Sequence, residues 1–354
     1  MWEQWNIIMK KRKINILLLF CILNTVCCLA QQPDFLFMSY NVENLFDTID
    51  NPRKNDNEFL PSAERKWNSY RYHKKLRDIA KVIVAAGQDW HNPDVIGLCE
   101  VENDTCLKDL IHKTILSNFH YNYIHYDSED ARGIDVALLY NEQTFKPIFH
   151  QPLPVVFDDT CRKTRDILYV TGIMTRTNDT IHIFECHFPS RRGGKTESEP
   201  YRMAAARVVR NKIDSIYLNC FSPYILVSGD FNDAPTDKSI LEGLRVLGIH
   251  AATHPFTCQC LYGLEDKNAE GTHKFQGEWE FLDQAMVSYP FFFEYAIQYH
   301  VLQNEFLLKK SEKTGESSPY RTYLGPYYKG GISDHLPILV SFKKRDRTQP
   351  ENQQ

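Results

Sequence analysis

The chain has 354 residues, of which 43% are apolar and 24% charged, a composition that can bury a substantial core and excludes disordered and collagen-like chains. Ten cysteines in this length are too sparse for a disulfide-packed miniprotein. The 41 basic and 45 acidic residues leave a net charge of −4 with no polybasic tail, so charge alone does not imply strong non-specific nucleic-acid binding.

Lys10-Lys11-Arg12-Lys13 precedes an apolar run from Ile14 to Ala30, broken only by Asn15, Asn24 and Thr25, with small residues at Cys28 and Ala30. A basic start, an apolar stretch and a small-x-small site predict a signal peptide over residues 1–30 and a secreted or periplasmic product. The run is shorter than the roughly 20 residues of a spanning helix, so no stable membrane insertion is expected after cleavage. Removal leaves 37 basic and 44 acidic residues, a net charge of −7, and seven cysteines: Cys99, Cys106, Cys161, Cys186, Cys220, Cys258 and Cys260. An odd number in an exported chain requires a free thiol or an intermolecular bridge. Cys99 and Cys186 lie inside apolar runs, where a small buried thiol is ordinary.

Residues 31–354 contain no internal repeat and no Pro/Gly/Ser linker, and read as a single domain with its core at about 34–344. Tyr72, Leu76, Ile79, Ile83 and Ala86 recur at helical spacing, as do Met203, Ala206, Val209, Ile213 and Ile216. Short apolar runs between them read as buried strands, and most of these runs stop at a polar residue. Phe35 to Tyr40 stops at Asn41, Val95 to Cys99 at Glu100, and Ile181 to Cys186 at His187. Tyr224 to Gly229 stops at Asp230, with Asn232 two residues on. Phe281-Leu282 leads into Asp283, and Gly330 to Ser333 leads into Asp334-His335. One such residue is an ordinary strand cap. Six positions together form a site if the strand ends meet at one rim. Carboxylates and amide oxygens suit a hard divalent cation such as Mg²⁺, and imidazoles beside them suit proton transfer or phosphate contact.

The strings Ser39-Tyr40-Asn41-Val42-Glu43-Asn44-Leu45-Phe46, Gly97-Leu98-Cys99-Glu100-Val101-Glu102-Asn103, Gly133 to Tyr140 (GIDVALLY), Gly229-Asp230-Phe231-Asn232-Asp233 and Ser333-Asp334-His335-Leu336-Pro337 occur in that order. In this the chain resembles the endonuclease/exonuclease/phosphatase superfamily, the deoxyribonuclease I-like fold, from about Phe35 to Phe342. The resemblance implies an α/β fold: a four-layered α/β/β/α sandwich of two packed mixed sheets flanked by helices, with the active site at one end. It implies metal-side roles for Asn41, Glu100 and Asp334. It implies catalytic roles for His187, Asp230, Asn232, Asp283 and His335, with Asp283 partnering the terminal imidazole. The implied cofactor is Mg²⁺, with Mn²⁺ or Ca²⁺ as substitutes, and the implied substrate is a phosphate ester, nucleic acid first. A small phosphorylated sugar, inositol phosphate or phospholipid head group is the alternative, and a monomer is expected.

Arg191-Arg192-Gly193-Gly194-Lys195 follows His187 on what reads as a loop. Arg191 and Arg192 are candidate substrate-phosphate donors, because Arg binds phosphate bidentately; Lys195 reads as an exposed turn residue. Asp135 caps or braces the site, while Glu43, Glu102 and Asn103 could lie at the surface or behind it. Phe291 to Phe293 read as core. Tyr320 to Tyr328 read as a loop over the site mouth.

Overall fold

The computed structural model describes residues 32–87, 91–157, 162–248 and 259–346. The predicted signal peptide, Cys161 and Cys258 lie outside the described residues. The main strands are β1 (Phe35–Leu45), β2 (Val95–Val101), β3 (Tyr121–His125), β4 (Asp135–Asn141), β5 (Phe145–Leu153), β6 (Ile167–Met174), β7 (Asp179–His187), β8 (Tyr224–Asp230), β9 (Val246–Gly248), β10 (Leu261–Gly263), β11 (Asp283–Ser288), β12 (Tyr295–Val301) and β13 (Ile338–Lys344). The helices that matter are α1 (Ser69–Ala86), α2 (Asp104–His112), α3 (Lys195–Asn219) and the short α4 (Tyr289–Glu294).

Six strands form one mixed sheet in the order β12-β13-β1-β2-β4-β3, and seven form a second in the order β5-β6-β7-β8-β11-β10-β9. β1 runs parallel to β2, and β7 parallel to β8. In each case a helix makes the return crossover, as parallel neighbours require. α1 begins where the Asn68 side chain accepts the Arg71 N–H, an N-cap of the usual kind. It buries Tyr72, Leu76, Ile79, Ile83 and Ala86, the predicted stripe. α3 buries Ala206, Val209, Ile213 and Ile216, with Met203 half-buried.

Strand alternation separates the layers. Ile225, Val227, Phe184, Cys186 and Met286 pack against Ala206, Val209 and Ile213 of α3. Ile181, Ile183, Leu226, Ala285 and Val287, on the opposite faces of the same strands, join the core shared with the first sheet. Helices thus cover the outside of each sheet and the inner faces meet, giving the four-layered sandwich the sequence implies. Among the described residues no helix is long and apolar enough to cross a membrane.

Candidate active site

The period-two alternation that sends Ile181, Ile183, Leu226, Ala285 and Val287 inward also sends His187, Asp230 and Asp283 inward at the strand ends. In the ladder His187 lies opposite Asp230, and Asp230 opposite Asp283. One rung across three strands therefore carries an imidazole and two carboxylates. Gly229 makes this possible: its φ is +130°, and a Cβ there would collide with the Cys186 carbonyl.

Asp230 is the hub. Its Oδ2 accepts from Asn41 Nδ2 at 3.0 Å and lies 3.6 Å from His187 Nε2 and 3.8 Å from His335 Nε2. Its Oδ1 accepts the Asn232 N–H at 2.9 Å. Asn232, at φ 51°, donates its amide to the Phe188 carbonyl at 3.1 Å. Burial pushes the Asp230 carboxyl up to about 7, with Asp283 adding to the effect and His335 opposing it. Asp230 is therefore poised between its two protonation states near neutrality, as a proton-transfer group needs.

His335 Nδ1–H donates to Asp283 Oδ2 at 2.7 Å, which fixes the ring and leaves Nε2 facing Asp230. Burial disfavours the charged ring, but the Asp283, Asp230 and Asp334 carboxylates outweigh it and hold the imidazole protonated well above its usual range. The backbone here is tied to β1: His335 N–H donates to Ser333 Oγ, whose hydroxyl donates to the Asn41 carbonyl. His187 goes the other way, driven well below its usual range by burial and by the Arg165 and Arg132 charges.

The first sheet supplies its residues from irregular backbone. Asn41 pairs with Cys99 and Leu45 with Val101, so Val42 to Asn44 bulge against the single residue Glu100. Glu43, Asn44 and Glu100 all have positive φ, 51°, 55° and 68°, a conformation that L-residues adopt at a cost. The bulge re-aims Glu100: Oε2 accepts the Asn44 N–H at 2.8 Å, and Oε1 lies 3.9 Å from His187 Nε2. Asn41 Oδ1 accepts the Glu43 N–H.

The ligand chemistry fits a divalent cation. Asp230, Asp283 and His335 bring ligand atoms within 4.8 Å of one another, as do His273, Asp334 and His335. Asp283 Oδ1 is buried without a hydrogen-bond partner. Glu100 belongs to neither group, and among the described residues its ion-pair neighbour is His187. Asp334 faces Arg321, whose Nη2 donates to its Oδ2 at 2.6 Å.

Arg191 corrects the sequence reading. Its Nη1 donates to both oxygens of Glu280 at 2.7 and 2.8 Å, its Nε to the Asn232 carbonyl at 2.7 Å, and its Nη2 lies 3.4 Å from Asp237. Every guanidinium nitrogen is engaged, so Arg191 holds Asn232 in place and has no fork left for a phosphate. Arg192 is exposed and remains a candidate donor. Glu43 is buried and accepts the Thr322 and Tyr323 N–H groups, so it anchors the mouth loop. Asn103 caps α2, and Glu102 accepts the Asp47 N–H. Phe291 is core, stacked on Phe342 at 4.2 Å.

Four residues near the site escaped the sequence reading. His273 sits in a short hairpin, with its ring 4.6 Å from that of His335. Arg165 is buried and joins Asp130 to the carbonyls of His187 and Phe188. Arg321 pairs with Asp334. Lys75, inside α1, is wholly buried and donates to the Glu43 carbonyl, Thr322 Oγ1 and the Ile332 carbonyl. A lysine on the apolar stripe of a helix was the one available sign.

Residues 37–344 match the model of the endonuclease/exonuclease/phosphatase family. The chain belongs to that family. Truncated TDP2 from Caenorhabditis elegans superposes with a TM-score of 0.52 at 14% identity, covering 87% of this chain and 97% of that one. The human Nocturnin catalytic domain gives 0.52 at 18% identity, over 88% and 94%. A mannosyl-6-phosphatase from Bacteroides thetaiotaomicron gives 0.52 at 17%, over 87% and 99%. At these identities the likeness establishes the fold. No curated protein sequence matches the chain. The family and fold are those of phosphoric ester hydrolases, with acidic and imidazole groups able to hold a divalent metal.

Proposed function

We propose that the chain is an exported, Mg²⁺-dependent phosphodiesterase that hydrolyses the phosphodiester bonds of DNA or RNA by attack of water. The observation that carries this reading is the Asp230 hub, where Asn41, His187, Asn232 and His335 converge on one buried carboxylate facing Asp283. Glu100, Asn41 and Asp334 would hold the cation, which supplies charge to offset the phosphoryl oxygens. Asp230 accepts a proton from water, oriented by Asn232 and Asn41. His335, kept cationic by Asp283, donates toward the phosphoryl oxygen, and neutral His187 offers a further polar contact. The Lys10 to Ala30 pattern and the disulfide-bonded state of Cys260 support export, since disulfides persist in oxidising compartments.

A small phosphate ester is a second reading. It is favoured by the loss of Arg191 to Glu280, because a polynucleotide gains affinity from free basic groups along its groove. A panel of DNA, RNA, bis-aryl phosphodiesters and sugar phosphates, each with Mg²⁺, Mn²⁺ and Ca²⁺, separates the readings. Cleavage of DNA or RNA upholds the first, cleavage of sugar phosphates alone moves the substrate to the second, and no turnover on any member sinks both. Intact mass of the exported protein still including Lys10 to Ala30 would end the signal-peptide reading.

A further inference from the structure

A second cluster lies where β3 and β4 approach the same rim, and none of its residues belongs to the Asp230 site. His125 closes β3, Asp135 opens β4 opposite Val101, and Asp127 lies in the loop between them. The His125 and Asp135 side chains are 3% and 2% exposed. Asp104, in the first turn of α2, accepts from His125 Nδ1 at 3.0 Å. A carboxylate only accepts, so the proton of a neutral ring is on Nδ1, and Nε2 presents a bare lone pair. That lone pair faces Asp135 Oδ2 at 3.5 Å, and neither atom has a hydrogen-bond partner. Two buried acceptors pointing at one another repel unless something positive lies between them.

A second ring proton is one candidate: burial disfavours the charged ring, but the Asp135 and Asp104 carboxylates outweigh it and raise the imidazole above its usual range. At 3.5 Å the pair still makes no hydrogen bond, whereas charge-assisted N–H···O bonds close to about 2.7–2.9 Å. A metal ion fits the separation: two ligands at about 2.1 Å with tetrahedral geometry stand about 3.4 Å apart. Asp127 offers a third ligand atom, and the three atoms lie within 4.8 Å of one another. We propose that His125, Asp127 and Asp135 form a second divalent-metal site, with Asp104 orienting the imidazole. One imidazole and two carboxylates select a transition ion, Mn²⁺ or Zn²⁺, over Mg²⁺, which prefers oxygen. A carboxylate behind the metal-binding histidine is the usual supporting arrangement. The ion would also tie down the loop after His125, because Asp135 Oδ1 already accepts the Ser128 N–H at 3.1 Å.

Equilibrium dialysis of the full chain against Mn²⁺, with bound metal counted by mass spectrometry, tests this without reference to hydrolysis. Asp127→Asn and His125→Gln should each bind one equivalent fewer than wild type. Asp104→Asn should weaken the same equivalent by about 10–100-fold. Glu100→Gln should leave it in place. Asp127 is exposed, so Asp127→Asn folds even if the buried His125→Gln does not. If Asp127→Asn retains the wild-type number of Mn²⁺ ions at wild-type affinity, the gap holds a proton and the site does not exist.

Discussion

His187, Asp230 and Asp283 stand on a regular rung of the second sheet, whereas Asn41, Glu43 and Glu100 stand around a bulge in the first. On the regular side, hydrogen-bonded ladders fix the spacing, and the side chains need only point inward at the right register. On the bulged side, three residues of left-handed backbone are held in place by backbone and side-chain donors brought from elsewhere. Glu43 is gripped by the Thr322 and Tyr323 amides, and its carbonyl by Lys75. Burial pushes the Glu43 carboxyl up to about 7 and the Lys75 amine down to about 8. Under the proposed function, Asp230 sits on the regular rung, while Asn41 and Glu100, two of the three proposed cation ligands, flank the bulge.

Loss of His335, tied by its backbone to β1 but hydrogen-bonded to Asp283 of the regular rung, gives the largest effect. His335→Ala should lower kcat by about 10²–10⁴-fold, roughly 3–5 kcal/mol of barrier, with little change in Mg²⁺ affinity. Near wild-type rates would reduce the imidazole to a strand cap. The bulged half should fail through Lys75: Lys75→Met removes the donor to three buried acceptors, of which the Ile332 carbonyl keeps the Thr322 hydroxyl. Two groups left unsatisfied at 1–3 kcal/mol each cost about 2–6 kcal/mol. Chemical denaturation showing wild-type stability would mean that the bulge supports itself.

Glu100→Gln sharpens the contrast. Mg²⁺ should raise the melting temperature of wild type, by about 2.7 kcal/mol of stability at a hundredfold excess over Kd. The amide variant should show a much smaller rise together with slower hydrolysis. An unchanged rise would move the cation to Asp230, Asp283 and His335.

The smallest effect lies one layer deeper on the regular half. Glu185, inward on β7 and opposite Ser228, is wholly buried, and burial raises its carboxyl to about 8. It accepts from Ser39 Oγ at 2.7 Å and lies over Gly97, where a side chain would collide with it. Its folded pKa exceeds its unfolded value of about 4.3, so the folded state holds the extra proton between the two. Stability from this group is full below about pH 4 and is lost as pH rises toward 8. Glu185→Gln should flatten that slope and gain about 1 kcal/mol or more at pH 8. Parallel pH profiles for the two proteins would show that Glu185 is already ionised.

The regular half was legible in the sequence because alternation and strand ends are local. An apolar run that stops at His187 or Asp230 carries its own geometry, and the helical stripes of α1 and α3 do the same. The ordered motifs implied the sandwich, and the family match agrees with them. Which strands meet at one rung is not local, so the His187–Asp230–Asp283 row waited for the sheet order. The bulge that turns Glu100 was equally hidden, since Glu and Asn at positive φ leave no mark in composition. Arg191 shows the same limit: a guanidinium beside a catalytic loop reads as a phosphate donor until the hairpin carrying Glu280 folds against it. His273, Arg165, Arg321 and Lys75 were missed because each acts through partners distant in the chain. The sequence determined which residues could do chemistry; tertiary structure decided which donors stayed free, because hydrogen bonds and ion pairs between remote segments are settled only when the layers pack.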